Sequence, residues 1–141
     1  NDKLTVKKKI LVVPQTLYIG KRTATESFND GSIEKAEILE NQHLGLLPLY
    51  DYINASIDQN CVTSQDLSCK NYNYLAYYNH SWWTITADAD STYKVFSIST
   101  SGEMKLRSAS STNTVRLIMQ LANDSIYVSG TGTQDDPYII K

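Results

Sequence analysis

From Ser81 onward the chain adopts a period of two, and no other feature restricts its fold as much. Trp83 and Ile85 alternate with Trp82, Thr84 and Thr86; Phe96 and Ile98 alternate with Val95, Ser97 and Ser99; Met104 and Leu106 alternate with Lys105 and Arg107. Alternation of this kind suits strands, whose successive side chains leave on opposite faces. Ser101-Gly102 lies between the last two runs and reads as a hairpin turn of the Gly-containing kind. Residues 115–121 read as a further apolar strand, 131–137 as a loop, and Tyr138-Ile139-Ile140 as a last strand.

The first half is less regular. Residues 10–19 read as strand material bent at Pro14 and ended by Gly20. Asp30-Gly31-Ser32 is a turn signal, with Ser32 the candidate cap of a helix over 33–40 whose apolar side is Ile33, Ala36 and Ile38. Residues 44–49 form an apolar run interrupted by Pro48 and read as a buried strand edge leading into a turn. Short helical turns are expected over 51–56 and around Tyr74-Leu75-Ala76. These elements predict an α+β fold: small antiparallel sheets, one or two short helices and long loops. No internal repeat or linker interrupts them, so residues 1–141 are expected to form one domain.

A chain of 141 residues is long enough to bury about two-thirds of its unfolded surface. Its one basic run, Lys7-Lys8-Lys9, has no arginine or aromatic interleaving, and the net charge of −2 argues against a nucleic-acid partner. No apolar stretch is long enough to span a bilayer, so no membrane insertion is expected. The polar start, Asn1-Asp2-Lys3, lacks a signal-peptide pattern and is expected of a processed chain or a domain excised from a larger one. Ten tyrosines against two phenylalanines suit either a half-exposed β surface or a binding face.

Chemistry-bearing residues are sparse. Cys61 and Cys69 lack the spacing and companion ligands of a metal site and the C-x-x-C of a redox pair. A loop-stapling disulfide or two unrelated thiols remain, and the disulfide, with the oxidising compartment it implies, is the reading adopted. His43 and His80 are far apart, and His80 beside Ser81 is no triad signature, so no catalytic residues are assigned and the chain is not expected to be an enzyme. Asp88 and Asp90 fall on one side of an extended loop, as a calcium ion would require, but also suit turn formation; no cofactor is otherwise expected. Arg116 interrupts an apolar run and is expected to be structural, held by an ion pair or by loop carbonyls, with Asp51 and Asp88 the candidate partners. Asn54-Ala55-Ser56 and Asn79-His80-Ser81 fit the glycosylation sequon, read here as coincidence.

Several stretches, taken in order, carry a resemblance. They are Leu17-Tyr18-Ile19-Gly20; residues 45–52 followed by Ala55-Ser56; the pair Cys61 and Cys69; Asn73-Tyr74-Leu75; Trp83-Thr84-Ile85-Thr86; residues 95–102; and Gly130-Thr131-Gly132-Thr133 through Asp136-Pro137-Tyr138. Over residues 17–141 the chain resembles an uncharacterised family of bacterial surface domains with a C-type-lectin-like fold, found in large, often repeated or pilin-fused Gram-positive proteins. The order of the motifs carries the likeness rather than any one of them. Where the family has Val-Arg-Pro, this chain has Val115-Arg116-Leu117, and loss of the proline is expected to let that strand pair more regularly. The Glu-Pro-Asn, Gln-Pro-Asp and Trp-Asn-Asp motifs of calcium-dependent lectins are missing from the sequence.

The resemblance implies a C-type-lectin-like fold, a bacterial cell-surface or secreted location, and cysteines in a loop. It aligns Trp83 with a core tryptophan, so Trp83 is expected inside and Trp82 outside. Trp82, Tyr77, Tyr78 and Tyr93 then form the candidate ligand-binding cluster, carried on long loops between residues 56 and 94. Two functions are expected on this basis: an adhesin-like recognition module for a cell-surface glycan or protein, or a structural subunit or spacer of a surface protein or pilus-like assembly.

Overall fold

The computed structural model describes residues 11–26, 30–55, 75, 79–132 and 135–141. Its centre is an antiparallel three-stranded sheet of β5 (Trp82–Ala87), β6 (Lys94–Ile98) and β7 (Met104–Ser108), in that order. The period-two stretches therefore pair as a meander. Gly102 turns the β6–β7 hairpin at φ 83°, a conformation that favours glycine. Around this sheet lie two-stranded antiparallel pairs. β1 (Val12–Val13) joins β9 (Gln120–Leu121), and β2 (Gln15–Tyr18) joins β3 (Ile38–Gln42). β4 (Gly45–Leu46) joins β8 (Leu117–Ile118), and β10 (Tyr127–Ser129) joins β11 (Ile139–Ile140). Pro14 separates β1 from β2, as its missing N–H requires.

Two short helices complete the described elements: α1 (Ser32–Lys35) and α2 (Leu49–Asn54). The α+β class and the small antiparallel sheets expected from sequence are both present. One face of α2, carrying Leu49, Tyr52 and Ile53, packs with Trp82, Phe96, Ile98 and Met104 to form the buried core. Leu47, Leu75 and Leu106 close its margin. Tyr52 and Trp82 meet edge to face with ring centroids 5.5 Å apart, and the Tyr52 hydroxyl donates to the Gly102 carbonyl at 2.8 Å. The helix thus reaches the hairpin turn across the core.

The expected helix over 33–40 shrinks to one turn. Ile38 and Leu39 instead pair with Tyr18 and Leu17 in β2, while Ile19 and Gly20 donate to the carbonyls of Glu37 and Glu34. Tertiary pairing takes the backbone groups that a longer helix would have used. Ser32 is the first helical residue rather than the cap; its N–H and hydroxyl both donate to Asp30 Oδ1. The apolar run 115–121 is also less regular than expected, because β8 and β9 are two-residue pieces broken at Met119. The helical turn expected at 74–76 lies outside the described residues except for Leu75.

Candidate functional site at Trp82, Arg116 and strand β8

The placement of the two tryptophans reverses the expectation. Trp82 is 1% exposed, whereas Trp83 is half-buried. Register is the cause: Trp82 pairs with Ile98, which pairs with Met104, so Trp82 falls on the face that meets α2. Trp83 pairs with Ser97, whose partner in β7 is Lys105. Two threonines share the core side of β5 because their hydroxyls are satisfied. Thr84 donates to the Phe96 carbonyl at 2.9 Å, and Thr86 accepts from the Leu49 N–H at 2.9 Å.

Trp82 therefore belongs to the core, and the candidate cluster is not assembled as expected. Tyr93 is exposed, but it lies beyond the far end of β5, about 17 Å from Trp82 by strand rise. Tyr77 and Tyr78 lie outside the described residues, as do Cys61 and Cys69. Asp88 is buried, and its Oδ1 accepts from the Asp90 N–H at 3.1 Å, closing an Asx-type turn. Asp90 is exposed, and among the described residues no group of three or more His, Cys, Asp or Glu is placed to hold a metal ion.

Arg116 meets a loop carbonyl, one of the partners expected of it, and an aromatic ring that was not. Its guanidinium lies over the Trp82 ring, 4.7 Å from the centroid, and Nη1 donates to the Leu75 carbonyl. Leu75 is thereby tied to the edge of the core. Leu47, Leu75, Trp82, Arg116, Leu117 and Ile118 line a shallow cleft of about 60 Å³. That space admits one small aliphatic group; small-molecule sites run to about 300 Å³ or more.

Outside the cleft is a surface the sequence did not suggest. Val115, Leu117 and Met119 are 58%, 57% and 51% exposed. They alternate in exposure with Arg116 and Ile118, which are half-buried. β4 pairs with β8 through Leu46↔Leu117 and Gly45↔Ile118, and Leu44, just before β4, is exposed too. An apolar run reads as buried, yet Val115, Leu117 and Met119 are exposed here, while Arg116 lies over the Trp82 ring. A second exposed apolar group, Ile126, Tyr127, Val128, Tyr138 and Ile139, lies on and beside the β10–β11 pair.

No family model, no curated protein and no solved structure matches this chain. Among the described residues no helix is long and apolar enough to cross a membrane.

Sequence reading also missed a buried ion pair. Arg22 and Glu34 are both fully enclosed, with Nε 3.5 Å from Oε1. Arg22 Nη2 donates to the Asp30 carbonyl, and the Tyr50 N–H donates to Glu34 Oε1. The Arg22 backbone accepts from Ala89 and donates to Ala87. One side chain and its backbone thus fasten α1, α2 and the end of β5 together. Arg22 sits in a polar run, Lys21-Arg22-Thr23, and no periodicity marks it as interior.

Proposed function

We propose that this chain is a non-catalytic recognition module of a bacterial surface protein, built on a C-type-lectin-like scaffold. Its contact surface is the apolar stripe Leu44, Val115, Leu117 and Met119 beside the Trp82–Arg116 cleft. The exposure of that stripe is the observation that carries the reading, since clustered exposed apolar side chains mark contact surfaces. The scaffold reading is supported by the meander β5–β6–β7, by α2 seated on its core face, and by the motif order in the sequence. The surface location rests on the resemblance alone.

A protein ligand suits the stripe better than a glycan. Sugars are held by aromatic platforms and fixed polar groups, and the stripe carries neither. A spacer or structural-subunit role is the second reading, favoured by the exposed β10–β11 pair. Labelled domain applied to a glycan array and to intact cells, with Leu117→Lys alongside, tests the proposal. The expected result is silence on the array and saturable cell binding that protease treatment of the cells abolishes and Leu117→Lys weakens at least tenfold. Cell binding indifferent to Leu117→Lys would reject the stripe; no cell binding at all would favour the spacer.

A further inference from the structure

We propose that the outer edge of β7 binds an extended, acidic segment of a partner protein as an added strand. The site is independent of the β8 surface: β7 lies two strands, about 10 Å, beyond β5 and its Trp82. Two hydrogen bonds that bracket the β6–β7 pair fix which way its backbone points. The Ser99 N–H donates to the Glu103 carbonyl, and the Ala109 N–H donates to the Tyr93 carbonyl. With Ser97 opposite Lys105 and Val95 opposite Arg107, those two β7 residues therefore turn their backbone groups toward β6. Met104, Leu106 and Ser108 turn theirs to the outer side, where no strand pairs with β7 among the described residues. Met104 is enclosed, and the Ser108 carbonyl accepts from the Ser111 N–H. The backbone groups left to a ligand are both those of Leu106 and the N–H of Ser108. The strand carrying them runs in unbroken register with β6 from Met104 to Ser108.

The side chains beside that edge select the ligand. Lys105 and Arg107 leave on the face opposite the core, while Leu106 packs at the core margin. Lys105 bridges Glu103 at 3.0 Å; Arg107 is exposed and has no ion pair among the described residues. An antiparallel strand seated on Leu106 sets its flanking residues opposite Lys105 and Arg107 at non-hydrogen-bonded positions, where paired side chains approach most closely. Carboxylates there meet positive charge, and an apolar residue between them lies beside Leu106. A second copy of β7 would set lysine against arginine instead, so the charges that admit an acidic strand exclude self-pairing. Backbone hydrogen bonds hold such a ligand, and its alternate side chains give the selectivity.

Titration of the full chain with a capped peptide of alternating glutamate and valine, about eight residues long, followed in ¹⁵N–¹H correlation spectra, tests the proposal. Saturable shift changes are expected at residues 104–108, with a lysine–valine peptide bound about tenfold or more weakly. Arg107→Glu, whose melting temperature is expected to stay unchanged because the side chain is exposed, should lower affinity for the glutamate peptide by about tenfold. Leu117→Lys should leave it unaltered. N-methylation of the valines, whose N–H groups face β7, should abolish binding, while N-methylation of the glutamates, whose N–H groups face away, should be tolerated. Absence of saturable shifts, or shifts centred outside β7, overturns the proposal. Equal affinity for the two peptides overturns the acidic ligand, and indifference to N-methylation of the valines overturns strand addition in favour of charge attraction alone. Concentration-dependent shifts at 104–108 without peptide would hand the edge to a second copy and overturn it as well.

Discussion

Glu34 shows how a buried charge sets a protein's response to pH. Burial pushes its carboxyl above the ordinary 4.5; the attraction of Arg22 and the Tyr50 N–H pull the other way without cancelling the effect. The folded state therefore holds this proton to higher pH than the unfolded chain. Between the unfolded value and the raised folded value the native state binds more protons, so stability falls as pH rises, by at most about 1.4 kcal/mol per pH unit. Glu34→Gln is expected to remove that contribution, flattening chemical-denaturation stability against pH upward from mildly acidic conditions. An unchanged slope in the variant would show that Glu34 does not titrate there. Residues also mark where sequence reading failed. Phe96/Ile98 and Met104/Leu106 alternate as read and do define a core face. Which tryptophan joins that face depends on register across the loop between Ala87 and Lys94, and register there is a tertiary property. Arg116 was legible as an arginine held by a loop carbonyl, but the aromatic ring beneath it carries no charge pattern to read.

Among the elements, α2 depends most on its neighbours. It spans only Leu49–Asn54, too short to persist alone, and its N-cap, Pro48, makes no side-chain hydrogen bond. The Thr86 hydroxyl, on β5, takes over that role by accepting the Leu49 N–H inside the core. Thr86→Val keeps the shape and removes the acceptor, and is expected to cost about 1–3 kcal/mol in urea unfolding. A loss below the measurement error would mean that the Leu49 N–H finds another partner. Strand existence was largely legible, because alternation and turn residues report it directly. Strand length was not: residues 115–121 form two short pieces, and 38–42 left a helical pattern to pair with β2. In both places backbone partners distant in sequence decided the outcome.

At the scale of the whole molecule, the described surface separates the sequence-based binding cluster from the apolar face. Trp82 is enclosed, Tyr93 stands beyond the opposite end of β5, and exposed apolar side chains occur on and beside β8, on the β10–β11 pair and on the β2–β3 pair. Around β8 the fold turns Arg116 toward Trp82 and leaves Val115, Leu117 and Met119 exposed, an arrangement that suits a contact surface. Saturation binding of the labelled chain to intact cells, with Leu117→Lys set beside Tyr93→Lys, tests this most directly. Leu117→Lys is expected to weaken binding by about tenfold or more and Tyr93→Lys, on the loop after Asp88, to leave it unchanged. Binding lost on Tyr93→Lys and kept on Leu117→Lys, or indifferent to both, would contradict the assignment of the surface around β8 as the contact surface.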